Sequence, residues 1–195
     1  MRYLSLLLFL SLALPLYAQK LITGKVVAVS DGDTFTMLTA SNEQIKIRLY
    51  GVDCPESKQD FGTKAKQFTS AKCFGKTVKA EIKNNDRYGR KIALIQLSDG
   101  KILNKELLIA GMAWHYKHYD KSAELALLES NARNHKVGLW ATANSVAPWD
   151  FRQNKKKHTA KADKRSSNLC TALTLAGKHC QHKASVGKRC WQHKI

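Results

Sequence analysis

Residues 22–52 read ITGKVVAVSDGDTFTMLTASNEQIKIRLYGV, three runs in which apolar and polar side chains alternate. A period of two buries one face of a strand and leaves the other in water, so Ile22–Ser30, Thr34–Thr39 and Gln44–Val52 are predicted as strands. Asp31-Gly32-Asp33 supplies turn chemistry between the first two, and the three form a meander. Beyond them the period changes. Phe61, Ala65, Phe68 and Lys72 recur at helical spacing and Gly75 stops the pattern, which predicts a helix over Phe61–Phe74. Strands Thr77–Ile82 and Lys91–Leu97 follow, separated by the polar turn 84–89. Ile102, Leu103, Leu107 and Leu108 line one side of Lys101–Ala113. Ala123, Ala126, Leu127 and Ala132 do so in Ser122–His135, where Ser122 can cap. The fold class expected is mainly β (α+β): a five-stranded closed barrel of the oligonucleotide-binding (OB-fold) type with three helices, a generic α+β sheet being the alternative.

The two ends differ from this middle. Arg2 precedes an apolar run that finishes Leu14-Pro15-Leu16-Tyr17-Ala18, the pattern of a secretory signal, so residues 1–18 are set aside and cleavage after Ala18 is expected. The run is short for a bilayer span, so the mature chain is expected to be secreted or periplasmic, without stable membrane insertion. Residues 19–149 then make the barrel domain. Residues 150–168 are basic and lack a hydrophobic period, as expected of a flexible linker, and 169–195 form a cysteine and histidine tail. Lysine and arginine number 33 against 15 acids, a formal charge of +18. So large a self-repulsion points to a polyanionic partner, with nucleic acid ahead of anionic lipid or heparin-like polymers. A monomer is the default.

Three separated motifs carry the chemistry: Asp31-Gly32-Asp33-Thr34, Arg48-Leu49-Tyr50-Gly51-Val52-Asp53-Cys54-Pro55-Glu56, and Asp86-Arg87-Tyr88-Gly89-Arg90. Each alone is weak, since Asp-Gly-Asp is more often a plain turn and a strand arginine is usually solvated. Together they offer what phosphodiester hydrolysis needs: hard carboxylates for a divalent cation, another carboxylate to activate water, and guanidinium forks for a phosphate whose charge grows in the transition state. In this order the motifs resemble the staphylococcal nuclease family, and the resemblance runs from about Ile22 to Trp140.

The resemblance implies a calcium-dependent endonuclease of DNA and RNA that breaks the P–O5′ bond and leaves 3′-phosphate ends. It makes Asp33, Asp53 and the backbone carbonyl of Cys54 the calcium ligands, with cysteine standing where the type member has threonine. Asp31 either supports the site from outside the ligand set or shapes the turn. Glu56 corresponds to the proposed general base, and Arg48 and Arg90 to the groups that neutralise the phosphoryl oxygens. Tyr88 and Tyr119 are the preferred stacking surfaces and Lys117 a backbone contact, while Trp114 reads as core. A binding module that has lost catalysis and a glycan-binding surface protein are the rival readings.

In the tail, Cys170, Cys180, Cys190 and His193 have the composition of a tetrahedral zinc site and resemble small zinc-binding appendages of other nuclease-like chains. Export favours disulfides instead, so zinc and disulfide remain alternatives.

Overall fold

The alternating runs close on themselves. The computed structural model describes residues 20–167 and, of the tail, residues 172, 173, 177, 178, 180–184, 190 and 192. The expected signal at 1–18, Cys170 and His193 lie outside the described residues. Five strands form a closed barrel, β1 (Lys20–Asp31), β2 (Thr34–Thr39), β3 (Gln44–Leu49), β5 (Thr77–Asn85) and β6 (Lys91–Gln96), in the order β1-β2-β3-β6-β5. All neighbours are antiparallel except β3 and β6, which run parallel with Arg48 opposite Ile92. Val26, Phe35, Met37, Ile47, Leu49, Val78, Ala80, Ala93 and Ile95 fill the interior, all buried. Each large one contributes about 1.5–3 kcal/mol by leaving water.

The run expected as one strand, Gln44–Val52, is divided. Gly51 sits at φ 71°, a left-handed conformation that suits glycine, and turns the chain off the barrel. The next two residues form β4 (Val52–Asp53), which pairs with β7 (Trp114–His115). Helices α1 (Gly62–Cys73), α2 (Leu103–Ile109) and α3 (Ala123–Asn134) occupy the three expected segments. Helix α2 is shorter than its apolar pattern because the chain leaves it to enter β7. The Oγ of Ser122 accepts from the Leu125 N–H at 3.4 Å, capping α3.

Asn104 ties α2 to the barrel where the parallel pair is short. Fully buried, it accepts from the Ile95 N–H at 3.0 Å and donates to the carbonyls of Tyr50 at 2.8 Å and Ala93 at 3.2 Å. Asn104 thereby satisfies the Ile95 N–H and the Tyr50 carbonyl, while the Ala93 carbonyl also accepts from the Tyr50 N–H at 2.8 Å.

Where an irregular linker was expected over 150–168, Pro148–Ser167 forms a fourth helix, α4. Proline is preorganised for a first helical turn. The absence of a hydrophobic period misled because docking is concentrated at the start: Trp149 stacks on Tyr116 at 5.4 Å and 8°, and meets Trp114 edge-on at 5.7 Å. A short 3-10 turn, Gly138–Ala141, precedes it and brings Trp140 against Trp114 at 4.4 Å. Trp114 is half-buried in this aromatic stack.

Candidate active site

Three structural devices bring acidic side chains to one end of the barrel. The β1–β2 turn is fastened to α1 by the Thr69 hydroxyl, which donates to the Gly32 carbonyl at 2.5 Å. This fixes Asp33, which is only 3% exposed. Asp33 Oδ1 accepts from the Thr34 hydroxyl at 2.9 Å and from Arg48 Nη1 at 3.0 Å, and Oδ2 accepts from the Cys54 N–H at 2.9 Å. Arg48 lies opposite Thr34 in the β2–β3 register, so its side chain reaches Asp33 directly. The turn at Gly51 and the β4–β7 pairing carry Asp53 to the same place, where Arg48 Nη2 donates to Asp53 Oδ1 at 2.6 Å.

Glu56 follows in a loop closed against the start of α1. The Gln59 N–H donates to the Glu56 carbonyl at 2.8 Å and the Gly62 N–H to the Gln59 carbonyl at 2.9 Å. A Cβ at Gly62 would lie 1.9 Å from the Glu56 carbonyl oxygen, so only glycine lets this loop close. The structure therefore brings together Asp33, Arg48, Asp53, Cys54 and Glu56.

One further member was missed by the sequence reading. Arg152, in the first part of α4, donates from Nη2 to Asp53 Oδ2 at 2.6 Å and from Nη1 to Glu56 Oε1 at 2.6 Å, with a longer contact of 3.3 Å to Asp53 Oδ1. Nothing in a run of basic residues distinguishes this arginine from its neighbours. The nearby Trp149 and Phe151, apolar residues at the edge of a polar stretch, were the available signal.

The charges are unevenly matched. Asp31, Asp33, Asp53 and Glu56 face two guanidiniums, Arg48 and Arg152, and the Lys66 ammonium that acts on Asp31, so the acids outnumber the cations. Burial pushes the Asp31 carboxyl above its usual range, and the charges of Asp33 and Glu56 add to this. Burial likewise raises Asp53, with Asp33 acting in the same direction against Arg152 and Arg48. A cluster of hard oxygen donors with surplus negative charge is the environment that a divalent cation stabilises. The Cys54 thiol is raised well above its ordinary value by burial and by Asp33 and Asp53, so it stays protonated and unreactive. Cys54 and Cys73 are unpaired thiols, and Cys73 Sγ donates to the Thr69 carbonyl at 3.1 Å.

Arg90 stands apart from this cluster. Its Nε donates to Asp86 Oδ2 at 2.6 Å, and Asp86 Oδ1 accepts from the Tyr88 and Arg90 N–H groups at 2.9 Å each. These bonds hold Asp86 below the usual carboxylate range despite the opposing effect of burial. Among the described residues Arg90 makes no ion pair with the acidic cluster. Its position two residues before Ile92, the β6 partner of Arg48, puts it at the adjacent strand's entry.

Tyr88 is 69% exposed beside Arg87 and Arg90, whose guanidiniums lie 4.9 and 5.7 Å from its ring. Tyr119, also exposed, packs edge-on to Tyr116 at 4.9 Å. Lys117 is an exposed side chain 3.7 Å from Glu129. Tyr116, Lys117, Tyr119, Arg133 and Trp149 line an open groove of about 460 Å³. Burial pushes the Tyr116 phenol up, and the charge of Asp53 adds to it.

In the tail, Cys180 Sγ lies 3.7 Å from Cys190 Sγ and 3.3 Å from His182 Nδ1. All three ligand atoms fall within 4.8 Å of one another. Both cysteines are buried. Cys180 and Cys190 belong to the set expected from the sequence, and His182, there only an alternate ligand or solvated bystander beside the preferred His193, is the histidine that the fold places with them.

Comparison with known proteins agrees with this architecture. Residues 46–142 match the family described as staphylococcal nuclease homologue. A protein of Escherichia coli O157:H7 named uncharacterized endonuclease is 39% identical over 134 residues, covering 69% of this chain and 87% of that one. A micrococcal nuclease of Shigella flexneri is 35% identical over 146 residues, 70% of this chain and 83% of that one. The staphylococcal-like nuclease CAN1 of Arabidopsis thaliana is 41% identical over 127 residues, 63% of this chain and 39% of that one. The family match begins at β3, so it takes in Arg48, Asp53, Glu56 and Arg90 but neither Asp33 nor Arg152.

Proposed function

The chain belongs to the staphylococcal nuclease family and is a phosphodiesterase, and on that premise we propose that it is an exported, calcium-dependent endonuclease of DNA and RNA that leaves 3′-phosphate ends. The observation that carries this reading is the convergence of Asp33, Asp53, Arg48 and Glu56 within one hydrogen-bonded cluster. Asp33, Asp53 and the Cys54 carbonyl would hold the cation, with Asp31 adding negative charge nearby. Calcium suits these hard oxygen donors and supplies Lewis acidity without redox chemistry.

The chain's own groups do the rest. Glu56 takes a proton from the attacking water as the water oxygen bonds to phosphorus and the P–O5′ bond breaks. The departing O5′ takes up a proton from solvent and leaves as a 5′-hydroxyl, and the phosphate stays on the 3′ side. Arg48, already aimed by Asp33 and Asp53, offers positive charge to the phosphoryl oxygens. Arg90, anchored through Nε by Asp86, has its Nη groups available for the same task. Tyr88, Tyr119 and Lys117 supply stacking and backbone contacts that do not distinguish bases, which supports action on both sugars.

We read residues 1–18 as a cleaved signal, 19–149 as the catalytic domain, and the protein as a monomer in the periplasm or medium. Among the described residues no helix is long and apolar enough to cross a membrane. Amino-terminal sequencing of the exported protein is expected to begin at Gln19. For the tail, the 3.7 Å separation of the Cys180 and Cys190 sulfurs supports zinc, because two thiolates on tetrahedral zinc at about 2.3 Å stand about 3.8 Å apart. His182 joins them as a ligand, with Cys170 or His193 for the remaining position. One zinc per purified chain supports this reading, and a Cys180–Cys190 disulfide with no zinc overturns it.

The direct test of the function incubates purified protein with end-labelled DNA and RNA and identifies the new ends. Cleavage of both to 3′-phosphates agrees with the proposal; 5′-phosphate ends or inert RNA contradict it.

A further inference from the structure

Arg152 is placed where a merely structural arginine would be wasteful. Its guanidinium closes both ends of a fork, one on fully buried Asp53 and the other on half-exposed Glu56, with bonds of 2.6 Å each. Arg48 takes the opposite oxygen of Asp53, so both Asp53 oxygens are engaged by guanidinium groups. Burial disfavours the charge of Arg152, yet the bonds to Asp53 and Glu56 outweigh it and hold the group above the ordinary arginine range. The residue is therefore a permanent cation.

Its mounting is firm. Trp149, one turn earlier in α4, stacks on Tyr116 and meets Trp114 edge-on. These ring contacts do not involve the Arg152 side chain, so a change of partner at its guanidinium needs only rotation of its own long stem.

Asp53 already accepts three guanidinium contacts on its two oxygens, so a divalent cation arriving there competes with Arg48 and Arg152 for the same lone pairs. We propose that Arg152 is a third guanidinium of the nuclease centre and a substrate-positioning residue. On loading with a divalent cation it gives up Asp53, keeps Glu56 through Nη1, and turns Nη2 to a non-bridging oxygen of the substrate phosphate. This rests on the function proposed above. A bidentate fork suits the shift because one donor holds the carboxylate while the other is released, and phosphate accepts the same planar geometry.

The test uses the full chain with Arg152→Ala and Arg152→Lys. Calcium alone is titrated into each by calorimetry without nucleic acid, and kcat and KM are measured on single-stranded DNA at saturating calcium. Arg152→Ala is expected to bind calcium about tenfold more tightly, about 1.4 kcal/mol, because a competitor for Asp53 has gone. The same variant should raise KM for DNA about tenfold while kcat falls less. Arg152→Lys, which keeps the charge but not the fork, should restore less than half of the KM effect. Unchanged or weaker calcium binding in Arg152→Ala overturns the proposal, as does a lysine variant indistinguishable from wild type, which would leave charge alone at work. Loss of both calcium and DNA affinity together would make Arg152 a structural strut and also overturn it. Absence of calcium-dependent cleavage by the wild type is a separate failure, of the metal-dependent nuclease reading itself.

Discussion

Replacing Glu56 by glutamine separates chemistry from folding. Glu56 and Arg152 are each 37% exposed at the side chain, so their 2.6 Å pair is partly screened by solvent. Such a pair contributes about 0.2–1 kcal/mol, and glutamine retains an oxygen that can accept from Arg152. In a chain of this length about 1 kcal/mol corresponds to about 2–4 °C, so the variant should melt within a few degrees of wild type. Turnover should respond on another scale. Removing a general base costs about 10²–10⁴ in rate, or about 2.7–5.4 kcal/mol of barrier. The assay is single-turnover cleavage of labelled single-stranded DNA in calcium, with a thermal melt of the same preparation. A rate within threefold of wild type would remove Glu56 from the mechanism. A melt lowered by more than 10 °C would mean that the residue is structural.

Three other outcomes follow from particular contacts. Gly62→Ala puts a methyl group where the Glu56 carbonyl now lies 1.9 Å away, so turnover should fall at least tenfold with the barrel intact by circular dichroism; a wild-type rate would show that the loop does not aim Glu56. Asn104→Ala strands the Ile95 N–H and the Tyr50 carbonyl and should cost about 3 kcal/mol in denaturant titration, against less than about 1 kcal/mol if α2 is held by apolar contacts alone. Asp120 is held below the usual carboxylate range: burial would raise it, but bonds from Ser122 and the His115 ring outweigh that. Its stabilising effect is present above the unfolded pKa of about 4 and is lost as pH falls through the lower folded value. Asp120→Asn should accordingly be less stable than wild type at pH 7, with the gap narrowing as pH falls below about 4, and a gap that persists unchanged at pH 2 would refute the linkage.

The barrel was legible because its signals are local. Alternation in Ile22–Ser30 and Thr34–Thr39 states which side faces the core, and Ser122 marks a helix start through its own side chain. The break in Gln44–Val52 was hidden, since Gly51 in an alternating run is read as part of the strand until Asp53 is seen paired onto β7 through Val52–Asp53. The acidic half of the site, Asp33, Asp53 and Glu56, was legible from types and order. Arg152 was not, because its role depends on a helix whose docking comes from Trp149 stacking on Tyr116 rather than from periodicity. Arg90 was legible as a guanidinium in a turn, but not that Asp86 would hold its Nε and orient it. His182 was legible only as an alternate ligand behind His193, because proximity to two buried sulfurs is a property of the folded tail.

The most direct measurement titrates calcium into chelator-stripped enzyme while following cleavage of labelled DNA and, in parallel, heat of calcium binding. The account predicts no cleavage in chelator, one calcium bound per barrel, and a rate that rises with the occupancy of that single site, all lost in Asp53→Asn. Full cleavage in excess chelator, or an undiminished rate in Asp53→Asn, would contradict it.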